Sequence, residues 1–316
     1  MQVSVASEQP PQSTQASGRP GLAVCPVCHA SAFKPRFTVK GIPVESCEAC
    51  GLVVQNPQPS DAELAAIYGN DYFIGSSEND RFASQFDVVK RATASLQLDE
   101  IAAYLCGRGQ TPKGLRLLEV GCGHGNMLLE ARLRGYDVMG LEYSADAAQR
   151  ANRKLDEEIV RVGTIGETPL PERSFDICIL IDVIEHVRDP EHFLKEIWRI
   201  LKDGATVFIA TPSVDSWSAR ALGRHWMEFK PEHLFYFGRA TITRLLKNTG
   251  FADIAVSTGR KVLTPDYIIG HFEKFPIPII TPALRVMRAL MPQALLSRPT
   301  KLTASGINVF AAKPRA

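Results

Sequence analysis

The chain has 316 residues, a formal net charge of +2 and 45% hydrophobic residues. The near-neutral balance argues against the strong basic field of a nucleic-acid-binding surface. No apolar run reaches the roughly 18 residues of a membrane-spanning helix, and the length suffices for one large core plus a small module.

Residues 1–20 are rich in Gln, Ser and Pro and lack the apolar stretch of a secretory signal. A disordered tail is expected there. The chain has seven cysteines. The odd count and the missing export signal lead to reduced thiols and a cytoplasmic location as the expectation.

Residues 21–58 read as a zinc ribbon. Cys25 and Cys28 form one C-x-x-C pair, Cys47 and Cys50 another, with 18 residues between the pairs. That spacing suits a ribbon, and four thiolates complete a tetrahedron around one structural zinc. His29 and Gly51 stand where each pair must turn, and residues 32–45 read as a hairpin turning at Lys40-Gly41. So small a module needs the metal to fold. Its basic residues Lys34, Arg36 and Lys40 are offset by Glu45 and Glu48, so nucleic-acid binding is not expected.

Residues 59–113 read as a helical lid. A short helix is expected over 61–69 and a long one over about 79–106, with Tyr68, Tyr72 and Phe73 between them. Tyr72 is a candidate ligand contact, with lid packing as the equal alternative.

The core begins at 114. Leu118-Glu119-Val120-Gly121-Cys122-Gly123-His124-Gly125 reads as a buried strand ending in a glycine turn, with a helix from Asn126. Three alternate glycines let backbone approach a ligand closely. The helix start offers free N–H groups to an anion. Glu142 ends the next apolar run, 17 residues after Gly125, where an acid suits ribose hydroxyls. A dinucleotide fingerprint needs Gly at 126, and Asn126 stands there.

A third short strand leads to Gly163 and Glu167, and a fourth, 174–181, runs into Asp182-Val183-Ile184-Glu185-His186. Asp189-Pro190 opens an amphipathic helix expected to end at Lys202-Asp203-Gly204, and 206–210 is a fifth strand. The E-x-G-x-G-x-G pattern with these partners resembles motif I of the class I S-adenosylmethionine-dependent methyltransferases. The likeness runs closely over 114–262 and loosely over 306–313. Among them the chain is similar to the ubiquinone-pathway O-methyltransferases. With its ribbon and a later Glu-His pair it also resembles the deoxysugar C-methyltransferases.

The resemblance implies a Rossmann-like, doubly wound α/β sheet of seven strands with the ribbon and lid in front. It implies an S-adenosylmethionine site at Glu119, Gly121, Gly123, Gly125, Glu142, Tyr143, Glu167 and Asp182. The expected activity is methyl transfer to a small molecule, with oxygen favoured over carbon. A sugar, a glycoconjugate precursor and a phenolic or polyketide-like acceptor all fit. The alternatives are C-methylation of a deoxysugar nucleotide and a non-catalytic zinc-ribbon binding protein.

His233 is the first candidate base, with Glu232 or another carboxylate orienting it. His225, Trp226, Phe229 and Tyr236 are expected around an acceptor pocket. His186 is a second base candidate. A divalent ion at Asp182, Glu185 and His186, suggested by the ubiquinone-pathway resemblance, is weighed against plain positioning without metal, which is preferred.

Residues 263–304 form an insert of the core. Its prolines argue against sheet. A substrate lid or a homodimer surface is expected, and a lipid contact through 275–291 is the alternative.

Overall fold

A Lys-Gly pair between two alternating runs specifies a tight hairpin, because both central residues must take positive φ. In the computed structural model Lys40 has φ 51° and Gly41 φ 77°. They join β1 (Phe33–Val39) to β2 (Ile42–Cys47), and β3 (Val53–Gln55) follows. The structure describes residues 19–67, 81–274 and 280–315. Most of the expected tail, Tyr68, Tyr72, Phe73 and residues 275–279 lie outside them.

The helices α1 (Asp61–Ile67) and α2 (Arg81–Gly107) lead into an alternating run. It comprises β4 (Arg116–Val120), α3 (Asn126–Leu133), β5 (Asp137–Glu142), α4 (Ala145–Leu155), β6 (Val160–Val162), β7 (Phe175–Ile181), α5 (Pro190–Ile200) and β8 (Leu201–Pro212). Then come α6 (Trp217–Leu222), β9 (Phe235–Tyr236), α7 (Arg239–Asn248), β10 (Ala252–Leu263), α8 (Pro265–Lys274), α9 (Ile280–Leu290), α10 (Gln293–Leu296) and β11 (Thr300–Ala312).

Seven strands form one sheet in the order β10-β11-β8-β7-β4-β5-β6. The five from β8 to β6 are parallel, and β11 and β10 close one edge antiparallel. Alternation along each strand sends neighbours to opposite faces. Leu117, Ile177 and Ile179 join the cluster under α2, α3 and α4. Leu118, Cys178 and Leu180 join the one under α5 and α7. The sheet is therefore doubly wound, and its ligand edge is the one where β4, β5 and β7 end.

Two sequence boundaries need correction. The helix opened by Asp189 ends at Ile200, and Leu201 already starts β8. Lys202-Asp203-Gly204 belongs to that strand, with Gly204 at φ 79°. The ends of the insert are sheet, since Arg260–Leu263 pair with Thr300–Thr303. The hairpin thus overhangs the ligand edge, and α8, α9 and α10 fill the connection. Val286, Met287 and Leu290 on α9 are exposed. No helix among the described residues is long and apolar enough to cross a membrane.

The ribbon is stitched into the core. β9 pairs with β3, giving a four-stranded sheet β1-β2-β3-β9. Cys25, Val27, Leu52 and Val54 share the cluster of α5 and α7, and Asn248 donates to the Val27 carbonyl at 2.8 Å.

Candidate functional site

The glycine turn after β4 is fixed by close approach. Gly121, Gly123 and Gly125 all have positive φ. A Cβ on Gly121 would lie 2.6 Å from Val183 Cγ2. One on Gly140 in β5, behind the turn, would lie 2.8 Å from Cys122 Sγ, Leu128 Cδ1 and Val160 Cγ2. Nothing in the sequence pattern singled out Gly140, because its need is tertiary.

Glu142 is buried and faces this turn. Gly123 N–H donates to its Oε2 at 2.8 Å and Ser144 N–H to its Oε1 at 2.9 Å. Burial raises its pKa, and these amides pull it back. Glu119 is buried deeper, with no hydrogen-bond partner for Oε2. Burial, then the charge of Glu142, pushes its carboxyl well above the usual range. Tyr143 and Glu167 stand on the exposed rim of the same edge, where Thr164 Oγ1 donates to Glu167 Oε2 at 2.8 Å.

Asp182 follows β7 at φ 53°, a left-handed backbone that a non-glycine residue occupies at a cost of roughly 1 kcal/mol or more. Lys261 Nζ on the overhanging hairpin lies 3.6 Å from its Oδ2. Burial would raise the Asp182 pKa, but Lys261, Lys90 and Lys230 bring it down to about 2. A small cavity of about 20 Å³ beside it is lined by residues including Thr211, Lys261 and Asn308.

The turn after Asp182 brings three groups together. Glu185, His186 and His233 offer ligand atoms within 4.8 Å of one another, so they could hold a cation. Glu185 accepts from Thr211 Oγ1 at 3.0 Å, its Oε1 is unpartnered, and burial with the charge of Asp182 raises it to about 8. The two imidazoles meet edge to face at 4.7 Å. Burial lowers His186 to about 4 and, with His186 and Lys230, holds His233 well below its ordinary value. Both are neutral at pH 7.

Glu232 does not orient His233 through its carboxylate. Its backbone carbonyl meets His186 Nδ1 at 3.0 Å, while His233 Nδ1 is buried without a partner. A carbonyl only accepts, so His186 carries its proton on Nδ1 and its lone pair on Nε2. The aromatic residues also differ from expectation. Trp226, Phe229 and Tyr236 are buried in a cluster with Ile42, Val44 and Val53 of the ribbon, and Phe37 meets Phe229 edge to face at 5.1 Å. They fill the seam between ribbon and core instead of lining a pocket, and His225 is exposed. That seam holds the His233 loop, because Gln55 N–H donates to the Leu234 carbonyl at 2.9 Å and Leu234 N–H to the Glu185 carbonyl at 2.8 Å.

The four ribbon cysteines also converge. Cys25 and Cys50 Sγ lie 3.6 Å apart, Cys28 and Cys47 Sγ 3.4 Å. Zinc at ~2.3 Å from each sulfur needs S–S separations of about 3.7 Å, so the set fits a tetrahedral ion. His29 N–H donates to the Cys25 carbonyl and Gly51 N–H to the Cys47 carbonyl, both at 2.9 Å, making two equivalent knuckles. Sequence reasoning missed Lys90, Lys230, Lys261 and Thr211, which no motif marks.

Known methyltransferases resemble part of this chain. A ubiquinone biosynthesis O-methyltransferase from Caulobacter sp. (strain K31) is 35% identical over 112 residues, 33% of this chain and 44% of that protein. A malonyl-[acyl-carrier protein] O-methyltransferase from Serratia marcescens is 29% identical over 152 residues, 48% of this chain and 57% of that protein. The chain spans about half the length of the curated relatives it matches. A solved SAM-dependent methyltransferase from Archaeoglobus fulgidus is 17% identical, with a TM-score of 0.48 over 74% of this chain and 100% of that one. A family profile described as "Methyltransferase domain" matches residues 90–256, just over half of the 316 residues. The chain belongs to the methyltransferase domain family.

Proposed function

We propose that this protein transfers the methyl group of S-adenosylmethionine to a small-molecule acceptor, with oxygen favoured over carbon. The observation that carries the reading is the pairing of Glu142 with the Gly123 amide beside the unpartnered Glu119. This cradle suits the cofactor. Gly121, Gly123 and Gly125 keep the turn open to backbone contact, and Glu142 is set to receive ribose hydroxyls. Glu119, buried and raised, suits a nearby ammonium that would draw it back to the charged form. Tyr143 and Glu167 stand beside the adenine end and Asp182 beside the methyl end. The cofactor supplies an already activated methyl, so the protein chiefly aligns the two reactants.

On the acceptor side His233 and His186 are the bases. Neutral imidazole can take a proton from a hydroxyl as the acceptor attacks. The Caulobacter and Serratia relatives, named as O-methyltransferases, support oxygen. Cys25, Cys28, Cys47 and Cys50 hold a structural zinc, and the ribbon it closes braces the His233 loop.

Calorimetric titration with S-adenosylmethionine and S-adenosylhomocysteine tests the core of the reading. Micromolar binding is expected, weakened at least tenfold in Glu142→Ala. Absence of binding by folded protein would overturn the reading and leave the ribbon as the functional part.

A further inference from the structure

Resting on the methyltransferase reading, we propose that the acceptor carries an anionic group, a phosphate or a carboxylate. That group docks on Lys90, Lys261 and Lys230 above Asp182. Three separate elements bring these lysines to one place. Lys261 stands on the part of β10 that overhangs the ligand edge, 3.6 Å from the Asp182 carboxylate. Lys90 stands on α2, which Thr93 pins to that hairpin. Thr93 Oγ1 donates to the Val262 carbonyl at 3.2 Å and accepts from Val262 N–H at 3.0 Å. Lys90 is three residues from Thr93 and therefore on the same side of the helix. Lys230 opens the His233 loop, and its Nζ lies 3.0 Å from Glu228 Oε2.

Three ammoniums from three elements share this corner with the carboxylates of Asp182, Glu228 and Glu232. Burial works against the Lys230 ammonium, but Glu228, then Asp182 and Glu232, raise its pKa. Among the described residues no carboxylate lies within ion-pair distance of Lys90, and its Nζ lies 5.2 Å from the centre of the Phe86 ring.

Lys261 and Lys230 are each paired with an acid, and among the described residues Lys90 is not. Lys261 and Lys230 remain accessible, with side chains 39% and 43% exposed, and Lys90 is exposed as well. Each ammonium has three donors. Lys261 can hold Asp182 and still donate to an incoming oxyanion. The anion would sit over Asp182 and anchor the acceptor next to His233, on the far side of the glycine turn.

The test uses the full chain saturated with S-adenosylhomocysteine. Inorganic pyrophosphate and benzoate are titrated separately by calorimetry. Binding of one or both is expected at millimolar concentration, weakening as sodium chloride rises. Pyrophosphate binding assigns a phosphate and benzoate binding a carboxylate. Lys90→Met and Lys261→Met should each weaken it at least fivefold, and S-adenosylhomocysteine affinity should stay within twofold. Lys34→Met on the ribbon should change neither. The proposal falls if neither anion binds the loaded protein, or if Lys90→Met and Lys261→Met both leave anion affinity unchanged. Failure to bind S-adenosylhomocysteine at all would instead overturn the methyltransferase reading, and this inference with it.

Discussion

The two halves of the ligand edge are made differently. The half over β4 and β5 is made of backbone: a glycine turn, a helix start and one carboxylate held by two amides. The half over β7, β8 and β10 is made of side chains from distant segments, Lys90, Asp182, Glu185, His186, Lys230, His233 and Lys261. A backbone cradle works only if small residues recur at fixed local spacing. A side-chain pocket can be assembled from any elements the fold brings together, so its specificity can change without altering the cradle.

The strongest way to separate the halves is His233→Ala. It should lower kcat by roughly 10² to 10⁴, the usual contribution of a positioned base. Affinity for S-adenosylhomocysteine should stay within threefold, because the cradle is untouched. Unchanged turnover would remove His233 from the chemistry and point to His186.

Metal removal probes the same half through the ribbon. The β3–β9 pairing and the Gln55–Leu234 bond tie the His233 loop to the four cysteines. Misplacing a reacting group by about 1 Å costs on the order of 10² in rate. Chelation should therefore lower kcat by about that factor while cofactor binding persists. Equal losses in both would make the ribbon a general stabiliser, and no loss would make it a bystander.

Gly140→Ala addresses the backbone half. Its new methyl meets three side chains at 2.8 Å, one of them Cys122 in the turn. Overpacking of this kind costs about 1–3 kcal/mol. Thermal unfolding should fall by several degrees, and cofactor affinity should weaken more than kcat. A neutral outcome would mean that the turn has slack.

These differences explain what could be read in advance. Periodicity and local turn chemistry are properties of neighbours in sequence. The strands at 116–120 and 175–181, the Lys40-Gly41 hairpin and the Asp189 cap were therefore legible. So were the two knuckles at Cys25 and Cys47. The aromatic residues of 226–236 were misassigned because burial against a partner sheet and exposure to a ligand use the same residue types. Lys90 and Lys261 were invisible because a lysine on a helix or strand is ordinarily a solvated charge. Only the pinning of α2 to an overhanging hairpin changes its meaning.

The pH dependence of stability has a sign that distinguishes Glu185 from the histidines around it. Glu185 is raised from an ordinary value of 4.5 to about 8 by burial and by Asp182. Between those values the folded form keeps the proton and the unfolded form has lost it, so stability falls as pH rises through the window. The slope is at most about 1.4 kcal/mol per pH unit. His186, lowered from 6.5 to about 4, acts on the other side. Its contribution is complete above pH 6.5 and is lost as pH falls toward 4. Glu185→Gln can still accept from Thr211 but no longer titrates. Urea unfolding in metal-free buffer should thus show a flatter profile for the variant from pH 5 to 8, with the acid-side loss unchanged. A constant offset between the two proteins across that range would mean that Glu185 is already ionised in the fold. Asp182 and Glu185 would then both be negative beneath the lysines.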